Sequence, residues 1–324
     1  MLNRLIWSEL DDAQRRAAMR RPADSPDVVR VAGEIINAVR ERGEAAVREY
    51  AHSLDDWAPE SFRVPAEEMA AAEAALSAED RQAILDAYAA VHAFHARQGY
   101  RSYQIKAWGG ARAERRVTPI DVAGLYVPAG TAPLVSTLIM LAAPARIAGV
   151  PRITVLCPPR KGQGVEPTVL AAASLIGIDE VYALGGAHGV AALAYGAAGL
   201  PRADKIFGPG NAYVAAAKAL LSLEPGGPAA DLPAGPSEVM VVADDAADPA
   251  FVAADLLSQA EHDPVAQVML VAISEAFVQS VETELERQLA DLPRAETARA
   301  AIANSRALLV GDLGEGVEVA NAYA

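Results

Sequence analysis

Gln259 and His262 stand three residues apart at the end of an apolar stretch that opens at Asp248-Pro249 and runs through Phe251, Val252, Leu256 and Leu257. Asp263-Pro264 follows at once and would end a helix there. Residues three apart share a helix face, and at 3.6 residues per turn these two lie about 60° apart. Asp255 falls between their directions one turn earlier; Glu261 points to the far side. Imidazole is a common zinc ligand, but zinc takes about four ligands and an amide is an unusual one. A histidine in the last helical turn is also favoured by the helix dipole alone. The spacing admits both readings.

Glycine supplies a second signal. Four expected strand ends carry Gly/Pro loops: YVPAGTAP (126–133), LGGAHG (184–189), FGPGNAY (207–213) and LPAGPSE (232–238). Glycine lets backbone approach a ligand, and a helix N-terminus offers N–H groups to phosphate. None is a full G-x-G-x-x-G, since Gly208-Pro209-Gly210 is followed by Asn211-Ala212-Tyr213. Any one of them is explained by a tight turn; four together point to a nucleotide or phosphate-bearing ligand. His92 and His95 are spaced like a metal pair, yet a half-exposed helix face accounts for them. Cys157, just before Pro158-Pro159, has no histidine near it in sequence and reads as a core thiol rather than a nucleophile.

The elements that position these residues alternate. Apolar runs predict strands near 122–127, 153–157, 180–184, 205–207, 237–242, 267–273 and 307–310. Helical stretches between them cover about 134–148, 167–176, 189–198, 212–222, 249–262 and 275–290. Continuous apolar strands alternating with helices mean a parallel α/β sheet. The first hundred residues read as helical: Ser25-Pro26-Asp27 opens a helix to about Glu49, and Ser77-Ala78-Glu79-Asp80 resembles a capping box for a helix that Gly99 closes.

Composition narrows the partners. The 324 residues carry 28 basic against 42 acidic side chains, a net charge of −14, which disfavours nucleic acid and anionic membranes. The first seven residues are too short an apolar run for a signal peptide, and no long uncharged apolar stretch predicts a membrane span. A single cysteine excludes an internal disulfide and fits a cytoplasmic location.

Three long stretches carry a family resemblance: ADLPAGPSEVMVVADDAADPAFVAADLLSQAEHDP (230–264), GLYVPAGTAPLVSTLIMLAAPARIAGV (124–150) and DKIFGPGNAYVAAAK (204–218). The sequence resembles the histidinol dehydrogenases along essentially its whole length. The resemblance implies oxidation of L-histidinol to L-histidine in two steps through an aldehyde, with two NAD and one zinc per site. It makes Gln259 and His262 zinc ligands that also lie against substrate, and Ser237 a substrate contact. Tyr126, His188 and Asn211 become NAD contacts. Three positions depart from the pattern: His188 stands where the family usually has Gln, Ala129 where Gly is more usual, and Ala230 where Ile is preferred. Ala129 is tolerable only at negative φ.

The resemblance also implies an α/β fold of two incomplete Rossmann-like domains with parallel sheets, the second inserted in the first, plus a helical N-terminal region. The expected boundaries are 1–22 for an N-terminal arm, 23–125 with 239–324 for the first domain, and 126–238 for the inserted NAD-binding domain. The family's Glu-His acid/base pair and two further zinc ligands, an Asp and a His, would follow Ala324. No catalytic residue is therefore expected among these 324, and the chain alone is expected to be inactive, with a weakened version of the family's homodimer. Two other functions fit the same residues: oxidation of another polar alcohol such as a dihydroxypropanesulfonate, and non-catalytic NAD binding.

Overall fold

A computed structural model describes residues 1–21, 26–129, 134–232 and 238–324. By contacts the chain divides into two compact units, Met1–Asp24 with Gly235–Ala324, and Ser25–Ala234. The first unit opens with β1 (Asn3–Ile6) and α1 (Asp12–Ala18). The second contains α2 (Pro26–Arg42), α3 (Glu44–Asp55), α4 (Ala66–Ala74), α5 (Ala78–His95), β2 (Tyr103–Lys106), β3 (Arg112–Arg115) and β4 (Val122–Tyr126). It continues with α6 (Val135–Ile147), β5 (Arg152–Cys157), α7 (Pro167–Leu175), β6 (Val181–Ala183), α8 (Gly186–Tyr195), β7 (Lys205–Phe207), α9 (Ala212–Ser222) and β8 (Ala229–Ala230). The first unit resumes with β9 (Glu238–Ala243), α10 (Pro249–Ala260), β10 (Gln267–Ala272), α11 (Glu275–Leu289), α12 (Ala295–Ala303), β11 (Arg306–Leu309) and α13 (Leu313–Tyr323).

The second unit is built on a parallel sheet in the order β6-β5-β4-β7-β8. The chain steps from β4 to β5 to β6 in one direction, then returns to place β7 on the other side of β4. That reversal makes the carboxyl ends of β4 and β7 the topological switch point, where ligands bind in open α/β sheets. The strands are short apolar runs because both faces are covered. The segment 187–194 of α8 is buried on every side, since α2, α3 and α9 all pack on it. The single helix expected from residue 25 to about 49 is instead two, broken at Gly43, whose φ of 57° suits glycine. Ser77 caps α5 by accepting from the Asp80 N–H, but the helix ends at His95, four residues before Gly99. Strands β2 and β3 form an antiparallel hairpin that the sequence reading did not anticipate. Its strand residues are all exposed, and Trp108 at its tip is 98% exposed.

The first unit has a four-stranded parallel sheet in the order β1-β11-β10-β9. β10 is buried along its whole length, with α10, α11 and α12 packed against it. Residues expected to be an arm supply the edge strand β1, paired with β11 from Asn3 opposite Arg306. Trp7 is buried in the core beside Leu308 and Val319, and Arg4 pairs with the buried Glu282. The contact division thus differs from the expected domains: residues 25–125 group with residues up to 234, and residues 1–24 group with 235–324.

The predicted strands at 122–127, 153–157, 180–184, 205–207, 267–273 and 307–310 fall on β4, β5, β6, β7, β10 and β11. The run expected at 237–242 is β9. Its first residue, and the Gly/Pro loop before it, lie outside the described residues.

Candidate functional site

At the carboxyl edge of the second unit's sheet, β4 and β7 end side by side. Gly208, the first residue past β7, has φ +113°, and a Cβ there would sit 2.2 Å from the Tyr126 carbonyl oxygen at the end of β4. Only glycine lets the two strand ends approach so closely. Its N–H donates to Asp231 Oδ2 at 2.8 Å, and its carbonyl accepts from Lys218 Nζ at 2.7 Å. Lys218, on α9, is 6% exposed and pairs with Asp231. Burial works to raise the Asp231 carboxyl, but hydrogen bonds from Lys218, Gly208 and Leu232 outweigh it and hold it below the usual range.

Asn211 begins α9: its Oδ1 accepts from the Val214 N–H at 3.1 Å. Asparagine is a preferred residue for this role, so one end of the amide is engaged by the fold. Gly210 is forced by the same turn, since a Cβ would meet Val214 Cγ1 at 2.3 Å. Tyr126 is buried, and its hydroxyl accepts from the Gly186 N–H at the start of α8. Burial pushes this phenol up, the Gly186 bond opposing, so it stays neutral. α8 opens on Gly185 without a side-chain cap, which leaves early N–H groups for another acceptor. Gly185 itself is packed against Pro158, beyond β5, where a Cβ would meet Cγ at 2.4 Å.

His188 is fully buried within α8 and turned towards α3. Its Nε2 lies 3.2 Å from Asp55 Oδ2, and its ring is 6.2 Å from that of Tyr50. Neither ring nitrogen, nor Asp55 Oδ2, completes a hydrogen bond. Close packing thus accounts for Gly185, Gly208 and Gly210, while the loops gather Tyr126, Asn211 and the start of α8 at one edge. Ala129 fits its loop as required, since among the described residues only Asp56 and Ala198 are non-glycine residues with positive φ.

In the first unit, α10 links the parallel strands β9 and β10, so it begins at their carboxyl edge and ends at their amino edge. Asp248 caps its start through the Ala250 N–H. The helix stops at Ala260, two residues short of the expected end. Gln259 is half-buried in the last turn, and His262 is exposed in the turn beyond, its N–H reaching the Gln259 carbonyl at 3.2 Å. The pair therefore spans the end of the helix and the turn that follows it, with Glu261 between them still in a right-handed helical conformation. α13 comes to the same edge: the Tyr323 hydroxyl donates to Glu238, the first residue of β9, and lies 2.7 Å from the amide oxygen of Gln267, the first of β10. Arg21 stacks over the Tyr323 ring. Burial and the Glu238 carboxylate raise the Tyr323 phenol. Ser237 lies outside the described residues.

Gln259 and His262 offer two donors of the four a closed zinc site takes. Among the described residues no group of three or more His, Cys, Asp or Glu could hold a metal ion, so the residues present do not make a zinc site by themselves. His92 is exposed and His95 contacts Gln98, as a plain helix face would. Cys157 is a buried free thiol, pushed up to about 12 chiefly by burial, and stays protonated. Asp55, Lys218 and Asp231 were not singled out from sequence. The available signal was a lone charge, Lys218, in the otherwise apolar AYVAAAKALLS of α9.

Parallel sheets, short strand-to-helix loops and a switch point define a Rossmann-like α/β protein. Comparison gives the family. A family model described as Histidinol dehydrogenase matches residues 18–324. The chain is 48% identical over 322 residues to the histidinol dehydrogenase of Xanthomonas euvesicatoria pv. vesicatoria, covering 99% of this chain and 74% of that protein. It is 44% identical over 324 residues to that of Salmonella typhimurium, with coverages of 99% and 74%. The crystal structure of histidinol dehydrogenase from Elizabethkingia anophelis superposes with a TM-score of 0.89 at 36% identity, covering 100% of this chain and 74% of that one. The chain belongs to the histidinol dehydrogenase family, a family of oxidoreductases of histidine biosynthesis. Among the described residues, no helix is long and apolar enough to cross a membrane.

Proposed function

We propose that this chain binds NAD at the carboxyl ends of β4 and β7 and L-histidinol at the amino edge of the first unit's sheet, for oxidation through the aldehyde to L-histidine. The observation that carries the reading is the switch point, where Gly208 is seated on the Tyr126 carbonyl beside the start of α8, whose Gly185 offers no side-chain cap, and the Asn211 cap of α9, in a chain of this family. The backbone there is held for close approach by a dinucleotide, and the α8 N-terminus suits a phosphate. Two NAD would each accept one hydride; the protein's part is to hold the aldehyde between the two transfers.

Substrate contact falls to Gln259, His262 and Ser237 by the resemblance. Gln259 and His262 would also be two of the zinc ligands, half of the four a closed site takes. The same resemblance puts the acid/base pair immediately after Ala324. α13 delivers that point of the chain to the edge where α10 ends. A base held at that edge would accept the alcohol proton, an effect of about 10²–10⁴-fold. The test is NADH fluorescence titration together with NADH production from L-histidinol and added zinc. NADH binding, with turnover that depends on the residues the relatives carry beyond this point, supports the reading; absence of NADH binding overturns it.

The reading places the chain in the cytoplasm, where its one thiol stays reduced, and as a homodimer. The exposed β2–β3 hairpin supports self-association. It presents Tyr103, Ile105 and Trp108 among Arg101, Lys106, Arg112, Arg115 and Arg116, on a chain of net charge −14. A two-stranded ribbon is marginal alone in water, and a basic, aromatic surface suits an acidic second copy.

A further inference from the structure

We infer that Lys218 and Asp231 are a positioning pair that fixes the Gly208 peptide, and with it the backbone of residues 207–211 that faces NAD. The inference rests on the NAD reading above. A buried lysine is costly unless it is paired and fully hydrogen-bonded. An apolar residue would serve the packing of α9 at less cost, so stability alone does not account for Lys218. What the pair does is visible in its partners. Asp231 accepts the Gly208 N–H at 2.8 Å, Lys218 donates to the Gly208 carbonyl at 2.7 Å, and the two charges close the ring by pairing with each other. Cα of Gly208 is meanwhile pinned on the Tyr126 carbonyl. N–H, C=O and Cα of one residue are thus each held, at the point where β7 turns towards α9.

The next residue, Pro209, has fixed φ and no N–H, and Gly210 is packed against Val214. The loop therefore has little freedom left once Gly208 is clamped. Rigidity of this kind lowers the entropy cost of binding a ligand by backbone contacts.

The experiment compares wild type, Lys218→Met, Asp231→Asn and the double variant K218M/D231N, which leaves no unpaired buried charge and so retains the fold where a single change does not. Val169→Ala, in the core at α7, is the control for general destabilisation. Two readouts are taken well below the unfolding midpoints: hydrogen–deuterium exchange of peptides covering 207–213, and NADH affinity by fluorescence. The clamp predicts at least tenfold faster exchange in the loop and at least tenfold weaker NADH binding in the clamp variants. Val169→Ala lowers the midpoint and leaves both readouts unchanged. Faster exchange with NADH affinity within twofold of wild type overturns the positioning role. Equal weakening in Val169→Ala overturns it as well, by assigning the effect to stability. If wild type binds no NADH, the cofactor reading itself falls and the positioning role with it, while unchanged loop exchange refutes the clamp independently.

Discussion

Replacing Gly208 by alanine tests how tightly the two strand ends are joined. The added methyl would lie 2.2 Å from the Tyr126 carbonyl oxygen and 3.0 Å from Leu141 Cδ1, and the residue would be held at φ +113°. A side chain in so sparsely populated a conformation costs about 1–3 kcal/mol. Overpacking against a backbone atom that cannot move without shifting β4 costs about 1–3 kcal/mol more. The middle of the sum is about 4 kcal/mol. For a unit of about 210 residues, each kcal/mol moves the midpoint by about 2–4 °C, so the second unit should melt about 8–16 °C lower. Thermal unfolding followed by circular dichroism reads this directly. Gly99→Ala is the control, since nothing lies within 4 Å of its added methyl and its φ is ordinary; it should be neutral or slightly stabilising. A Gly208→Ala midpoint within about 2 °C of wild type would show that the β7 exit relaxes freely and would refute the close-approach argument.

Cys157 gives a pH signature. Its folded thiol is raised to about 12 against an ordinary value of about 8.5, so its contribution is complete below about pH 8.5 and is lost as pH rises towards 12. Stability of wild type should fall more steeply than that of Cys157→Ala over this range in urea melts; parallel slopes would contradict the burial. In the hairpin, Trp108→Glu should shift self-association towards monomer by light scattering without lowering the unfolding midpoint, because the side chain is 98% exposed; an unchanged dimer removes the hairpin from the interface. His262→Ala should change stability by no more than about 0.5 kcal/mol, since the side chain is exposed. The 324 residues should likewise pass through gel filtration without stoichiometric zinc, as measured by metal analysis; retained zinc would mean that a fuller ligand set exists than Gln259 and His262.

Strands β4, β5, β7 and β10 were legible because parallel strands buried on both faces are continuous apolar runs between helices. β1 was not: Asn3-Arg4-Leu5-Ile6 is a half-exposed edge strand with a charge that finds its partner, Glu282, 278 residues away. The β2–β3 hairpin was missed because Tyr-Gln-Ile-Lys and Arg-Ala-Glu-Arg bury nothing in this chain. Of the site, the sequence showed which loops carry glycine and which helix ends in Gln and His. It did not show that Gly208, Lys218 and Asp231 form one ring, because that pairing depends on α9 folding back beside the loop that precedes it. Helical spacing ran two residues past the helix, since α10 stops at Ala260 and His262 stands in the turn beyond. His188 reads as polar on an apolar helix, and only the structure shows it facing Asp55.

The central claim is that NAD sits at the switch point between β4 and β7. A crystal structure of the chain grown with NAD tests it most directly. Dinucleotide density over the Tyr126–Gly208 junction, with a phosphate at the start of α8, is the predicted result. Density elsewhere on the molecule, or crystals of unliganded protein at saturating NAD, would contradict it.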